Sequence, residues 1–132
     1  MEHYNPFDTV LMCGVPVLRW QSEPGRTAIA HCGQILQSLT RNGYREIVLD
    51  LQKVVFRAPR ELQRFLGNLE RMLPPHTHAE VVLPAGSQLV RLPKRMRVAP
   101  SVTIALSHIT RLPAVSLQTV PITHVRWQED QG

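Results

Sequence analysis

Amphipathic helical patterns alternate with short apolar runs along this chain, and the alternation restricts the fold more than any other feature. Between residues 28 and 39, apolar residues recur at the 3.6-residue period of a helix, and Asn42 and Gly43 then favour a helix end. The same period returns between residues 62 and 73, with Pro59 placed at the first turn. We therefore predict a helix in each stretch.

Short apolar runs bounded by turn residues predict the strands. Residues 46–52, 79–83 and 102–106 have the composition of strands that are buried on both faces. Residues 10–12 and 15–20 predict two earlier strands, which are separated by a glycine. A buried strand is therefore expected after each of the helices.

The remaining segments give weaker signals. A shorter helix is expected around residues 87–92, where Pro93 would stop it. Residues 116–120 and 122–127 favour strands in the tail, and Pro121 between them argues for an edge position.

The order of these elements is β-β-α-β-α-β-α-β, followed by a tail. Strands that are separated by helices pair mostly in parallel through right-handed crossovers. We expect an α/β fold: a single small domain over residues 1–132, with its core at about 10–107 and a tail at 108–132 that holds the edge strands. The predicted sheet is mixed but mostly parallel, with four to five strands and at least two helices packed on one face.

Basic residues are concentrated in the middle of the chain. The formal net charge is +5, and residues 41–111 hold 12 of the 15 Lys and Arg residues but five of the ten Asp and Glu residues. Such a distribution favours anionic partners. The longest apolar run, residues 10–18, is far shorter than the roughly 20 residues of a membrane span. We therefore expect no membrane span and a cytoplasmic location.

Residues with catalytic or metal-binding chemistry are few and isolated. Cys13 and Cys32 fall in apolar segments and are expected to be buried thiols. His76 and His78 could both contact a metal, but no third ligand stands at a recognisable spacing. Asp50 ends a predicted strand, where it would cap the next turn or pair with an arginine. We predict that the chain is not an enzyme and has no cofactor or metal.

The central phrase of the sequence, residues 42–56, has a distinctive pattern. A helix and a short turn precede a run of apolar residues that is followed by an acid and another apolar residue, Asp50 and Leu51. Two polar residues come next, and then Val54, one residue of any type, and Phe56. This pattern resembles the STAS domain, which occurs in anti-sigma-factor antagonists and in the cytosolic ends of sulfate-type anion transporters. The resemblance extends over roughly residues 10–107, with residues 90–92 and 102–106 similar to the family's short third helix and last strand.

The chain departs from the family where phosphorylation would occur. The family has an acid and a serine at the start of the following helix, and a partner kinase phosphorylates that serine. Here Ala58 stands for the acid, Pro59 for the serine and Arg60 for the next residue. The resemblance therefore implies a STAS-like domain without the phosphoswitch. The tail also lacks the amphipathic final helix that is common in the family.

Two basic patches are the candidate binding surfaces. Arg60, Arg64 and Arg71 share one helical face, next to a helix N-terminus that itself favours anions. These side chains form either a solvated polar face or a docking surface, and Glu61 and Glu70 could compensate their charge. The second patch holds Arg91, Lys94, Arg95 and Arg97. The predicted partner- or anion-binding residues are Arg57, Ala58, Pro59, Arg60, Arg64, Arg91, Lys94 and Arg95.

These observations together favour a non-catalytic, STAS-like protein–protein interaction module in a regulatory pathway, not itself phosphorylated. Its partner would be a regulator, a kinase or an anti-sigma-like protein, and a homodimer is left open. The alternative is a small basic protein that binds anions or nucleic acid through the two patches. Nucleic acid is less favoured because aromatic residues for base stacking are missing near the patches.

Overall fold

A computed structural model describes residues 7–21, 25–88, 91–112 and 122–124 of the chain. Within these residues, the fold consists of three helices and a mixed sheet of six strands, whose spatial order is β5-β4-β3-β2-β1-β6. The strands are β1 (Phe7–Met12), β2 (Val15–Trp20), β3 (Glu46–Asp50), β4 (His78–Val82), β5 (Met96–Val98) and β6 (Ile122–His124). The helices are α1 (Arg26–Arg41), α2 (Pro59–Met72) and α3 (Val102–Thr110).

The first two strands form an antiparallel hairpin. Cys13 and Gly14 connect β1 to β2 with φ angles of 55° and 77°, both in the left-handed region that a two-residue hairpin turn requires. Strands β2, β3, β4 and β5 then pair in parallel, and β6 pairs antiparallel with β1 at the other edge. The α/β prediction is confirmed: β1–β5 form a mostly parallel sheet, and β6 adds a short edge strand within the predicted tail.

Successive side chains of a strand point to opposite faces of the sheet, and here the apolar residues on each face form a core that helices cover. The larger core lies under α1 and α2, where Leu18, Trp20 and Leu49 pack against the two helices. On the opposite face, Val17 and Val48 pack with α3. The expectation of two helices on one face is met by α1 and α2, and α3 forms a third layer.

The predicted strand at residues 102–106 is wrong, because this segment is helix α3. Ser101 caps the helix: its Oγ accepts a hydrogen bond from the Ile104 backbone N–H at 3.1 Å. Ala105 and Leu106 are buried against the second face of the sheet. A short apolar run does not distinguish a strand from a buried helix, and here the capping serine and the second sheet face favour the helix.

The predicted short helix around residues 87–92 is also wrong where the structure describes this segment. Residues 87–88 and 91–93 are not helical, and the Ser87 Oγ donates to the Pro84 carbonyl oxygen at 2.6 Å, as in a turn. Strand β5 follows instead and was not predicted, because only Met96 of its three residues is buried. The predicted tail strand at 116–120 lies outside the described residues. Of the segment 122–127, residues 122–124 form β6.

Candidate docking surface

The carboxyl ends of β3 and β4 lie side by side at one end of the strands, and a groove opens at this rim of the sheet. Its volume is about 590 Å³, and its walls are residues 52–59, which connect β3 to α2, and residues 84–88, which follow β4. We call it the edge groove. Ligands of open α/β sheets commonly bind outside the carboxyl ends of parallel strands, so the position itself is typical of a binding site.

Hydrogen bonds and buried side chains anchor the loop that forms the first wall. Asp50 Oδ1 accepts hydrogen bonds from the backbone N–H of Gln52 at 3.1 Å and from its side-chain amide at 3.0 Å. Asp50 therefore caps the turn, as the sequence indicated. Val54 is buried, and Phe56 packs on Phe65 with ring centroids 5.2 Å apart.

Val55 lies between two inward-facing residues and points out of the fold. Its side chain is 79% exposed, the largest exposure among the large hydrophobic residues that the structure describes. Isolated apolar residues on a surface are common, but this one stands on a fixed loop at the rim of a groove. It therefore offers an apolar contact to whatever occupies the groove.

Helix α2 begins at the same rim with no hydroxyl at its start. Ala58 is the N-cap residue and makes no side-chain capping bond, while Pro59 occupies the first turn. Glu61 Oε1 accepts a hydrogen bond from the Arg57 backbone N–H at 2.7 Å, which ties the loop to the helix. The only acid of the first helical turn is thus engaged with the backbone.

The exposed side of α2 carries three arginines, Arg60, Arg64 and Arg71, which we call the arginine ridge. Within the described ranges, none of the three forms an ion pair with a carboxylate. Glu70, the other candidate to compensate them, accepts a hydrogen bond from the Arg95 backbone N–H at 3.1 Å. Arg60 and Arg64 are four residues apart and repel each other. The ridge is therefore a cationic surface that no direct ion pair neutralises in the described structure.

The second basic patch is divided by the fold. Arg91 lies beside α2, where its backbone N–H and carbonyl group both bond to the side-chain amide of Gln63. Its exposed side chain is therefore next to the arginine ridge. Lys94 and Arg97 instead line a second cavity, which lies beside α3.

Arg95 has a different environment from its basic neighbours. Its guanidinium is half-buried and donates to three carbonyl oxygens at the end of α2, those of Pro74 at 2.7 Å, Glu70 at 3.0 Å and Leu73 at 3.2 Å. Helix ends leave such carbonyls without partners, and a cation there is favourable. Arg95 thus caps α2. Of the eight predicted site residues, Arg57, Ala58 and Pro59 line the edge groove. Arg60 and Arg64 lie outside its lining on α2, Arg91 lies beside α2, and Lys94 and Arg95 line the second cavity.

Two residues of interest, Val55 and Glu80, were not among the site residues predicted from the sequence. Val55 belongs to an apolar sequence, Val54-Val55-Phe56, that gave no indication of which side chain turns outward. Glu80 is 7% exposed and contacts His108 and Arg97 on the α3 side of the sheet. One signal was available for Glu80, since it is the single acid in a strand of buried apolar residues.

The two cysteines are free thiols in different environments. Burial raises the pKa of the Cys32 thiol to about 12, so that the thiol stays protonated near neutral pH. Cys13 is half-buried in the hairpin turn. No group of three or more His, Cys, Asp or Glu residues suited to a metal occurs in the described part of the chain.

Comparison with known proteins gives no family for this chain. No family model matches the sequence, and no curated protein matches it. Among the described residues, no helix has the length and apolar character needed to cross a membrane.

Proposed function

We propose that this chain is a non-catalytic, STAS-like protein–protein interaction module that binds an acidic surface of a regulatory partner through the edge groove and the adjoining start of α2. One observation carries the proposal: Val55, 79% exposed on a fixed loop, stands at the rim of a 590 Å³ groove beside uncompensated arginines. An apolar contact surrounded by positive charge suits a protein surface that presents an apolar side chain among carboxylates.

The resemblance to STAS domains rests on the phrase that forms this rim. Asp50, Val54 and Phe56, which carry the resemblance, are the residues that hold the loop. Residues 91–92, which are not helical, and residues 102–106, which form α3, do not support it. The alternation of strands and helices from β1 to β4 agrees with the element order on which the resemblance also rests.

The absence of a serine at the family's phosphorylation position decides how this module would be regulated. Pro59, at the place of the family's serine, is exposed at the first turn of α2, with Arg57 and Arg60 on either side. A phosphoserine at such a turn would introduce close to two negative charges. The present turn is instead permanently positive, so the module binds its partner without a phosphorylation switch at this site.

The alternative, a protein that binds anions or nucleic acid through both patches, is less well supported. Arg95 donates to backbone carbonyls, and Lys94 and Arg97 lie at a separate cavity. One continuous surface for a phosphate backbone would need these residues to extend the arginine ridge.

Photo-crosslinking in a lysate of the source cells tests the proposal. A photoreactive amino acid replaces Val55 in one sample and the exposed Gln37 of α1 in another. We expect position 55 to give specific protein adducts that are absent at position 37. Adducts at position 55 should disappear when Arg60→Glu and Arg64→Glu are introduced together.

A matched pair of charge reversals provides the control. Arg41 and Arg111 are exposed near the helix ends at the opposite edge of the sheet, and Arg41→Glu with Arg111→Glu changes the net charge by the same amount. Adducts that persist with Arg60→Glu and Arg64→Glu, or that disappear equally in the control pair, would refute the proposed surface.

A salt-titrated mobility shift with mixed oligonucleotides tests the nucleic-acid alternative. That alternative requires binding whose affinity falls steeply with salt.

A further inference from the structure

A second cavity, separate from the edge groove, lies on the α3 side of the sheet. Its volume is about 260 Å³, and charged or titratable side chains dominate its lining: Glu46, His78, Glu80, Lys94, Arg97 and His108. Glu46 and His78 are the first residues of β3 and β4 and pair in register. The cavity therefore opens at the amino ends of these strands, whereas the edge groove lies at their carboxyl ends.

Glu80 forms the floor of this cavity and is the most buried charged residue that the structure describes. Its Oε1 lies 3.0 Å from His108 Nδ1, and its Oε2 lies 3.6 Å from Arg97 Nε. Removing a carboxylate from water costs several kcal/mol unless partners compensate it. Each oxygen of Glu80 has one such partner: the Arg97 guanidinium compensates the charge of the carboxylate, and the His108 imidazole lies within hydrogen-bond distance of it.

Glu80 engages one nitrogen of each partner, and the other donors stay available. The contact through Nδ1 leaves His108 Nε2 without a hydrogen-bond partner in the described structure. Arg97 is bound through Nε, and its side chain is 68% exposed, so its two terminal amino groups are accessible. If the contact between Glu80 and His108 served only to fix α3 to the sheet, the carboxylate would not need the exposed guanidinium of Arg97 as a second partner.

The remaining charges in the cavity are mainly positive. Lys94 and Arg95 contribute two further cations, although the Arg95 guanidinium itself donates to the end of α2. Lys94 makes no ion pair within the described ranges. Glu46, which is exposed, is the only carboxylate besides Glu80 among the lining residues. With both histidines neutral, the lining holds three cations and two carboxylates, so its net charge is +1 when Arg95 is included.

The size of the cavity restricts the ligand. Sites for drug-sized molecules begin at about 300 Å³, so this cavity fits a smaller group. Arg, Lys and His side chains together are the usual ligands of phosphoryl oxygens, and Arg can donate two parallel hydrogen bonds to them. A neutral imidazole accepts a hydrogen bond from a protonated phosphate oxygen, and an imidazolium donates to an ionised one, so His108 can serve in either state.

We propose that this cavity binds a small phosphoryl oxyanion, either inorganic phosphate or the phosphoryl group of a small monoester. Arg97, Lys94 and His108 contact the oxyanion. Glu80 is a positioning residue that holds the imidazole and the guanidinium in place. The site is independent of the docking function proposed for the edge groove, since the two lie at opposite edges of the sheet.

Titration of the full chain with inorganic phosphate, followed by NMR of the histidine imidazoles, tests this proposal. We expect saturable shifts of the His108 resonances, and smaller shifts for His31, which lies on α1 across the sheet. A parallel titration with glycerol 3-phosphate identifies the source: tighter binding than phosphate assigns a monoester, and weaker binding assigns the free ion. His108 resonances that do not respond to either probe would overturn the proposal.

Variants separate binding from folding. Lys94→Gln and Arg97→Gln are each expected to weaken phosphate binding about tenfold, because each removes a charge-assisted hydrogen bond. Arg111→Gln, a control on an exposed residue outside the cavity lining, should bind as the wild type does. Unchanged affinity in the Lys94→Gln/Arg97→Gln double variant, with thermal unfolding showing that it is folded, would contradict the assignment.

Glu80→Gln tests the positioning role with a readout that folding does not supply. The amide keeps the size of the side chain but loses the charge that favours the Nδ1–H form of His108. We expect phosphate affinity to fall at least threefold and the imidazole ¹⁵N shifts of free His108 to move toward the other tautomer. Wild-type affinity together with wild-type ¹⁵N shifts would remove Glu80 from the site.

Discussion

Replacing Arg95 by alanine is expected to destabilise the fold by about 2 kcal/mol, although the residue belongs to a patch that the sequence suggested for partner binding. The guanidinium donates to three carbonyl oxygens, those of Glu70, Leu73 and Pro74. Hydrogen bonds to charged groups contribute about 1.5–3 kcal/mol each when they are buried. Because Arg95 is half-buried, water recovers part of this loss when the side chain is removed, and the total stays well below the sum of three such bonds.

The perturbation can be measured by urea unfolding monitored by circular dichroism. For a chain of 132 residues, about 2 kcal/mol corresponds to a fall in Tm of roughly 7 °C. Arg95→Lys keeps the charge but not the planar fork of donors, so we expect it to restore about half of the loss. Arg91→Ala is the matched control, because Arg91 bonds to Gln63 through its backbone and should change stability by no more than about 0.5 kcal/mol.

The opposite result would refute this reasoning. If Arg95→Ala and Arg91→Ala both left the free energy of unfolding unchanged within error, Arg95 would not cap α2. Its guanidinium would then be available for a partner, as the sequence alone suggested.

Three further changes have directions fixed by local structure. Ser101→Ala removes the hydrogen bond to the Ile104 N–H that caps α3 and should cost about 1 kcal/mol in urea unfolding, whereas Ser101→Asp should keep the cap. Gly67→Ala should stabilise α2 by about 0.5–1 kcal/mol in the same assay, since a Cβ there meets no atom within 4 Å; a loss of stability would contradict the open space. A maleimide should label Cys13 in the folded chain and Cys32 only after unfolding, because Cys32 is buried with a pKa of about 12; equal labelling rates would contradict this.

The larger part of the fold could be predicted because its signals are local. Helices α1 and α2 have apolar stripes at a period that only a helix presents to one face. Gly43, with φ at 92°, ends α1 where the sequence placed the stop. Strands β3 and β4 are apolar on both faces because helices cover both faces of the sheet.

Strand β5 and helix α3 could not be predicted because their signals depend on tertiary contacts. Residues 102–106 are mostly apolar and begin with three β-branched residues, which favours a strand locally, but the face of β3 and β4 opposite α1 and α2 requires a cover and α3 supplies it. Strand β5 has one buried residue, and its place is set by pairing with β4, which no pattern in its own sequence reveals.

The candidate site shows the same division. The sequence identified the cationic residues, since charge is readable from composition. It could not show what each arginine contacts: Arg60 forms no ion pair in the described structure, Arg95 donates to a helix end, and Arg97 contacts a buried glutamate. These three differ only in their surroundings, and the surroundings are created by the fold.

The decisive test of the proposed docking surface is the affinity of a partner captured at position 55 for purified variants of the chain. With the edge groove and the start of α2 as the docking surface, Arg60→Glu with Arg64→Glu should weaken binding at least about thirtyfold, since repulsion replaces attraction at two charged contacts. Arg41→Glu with Arg111→Glu, at the opposite edge, should change the affinity less than about threefold. Equal affinity for the wild type and both double variants, or equal losses in the two, would contradict the account.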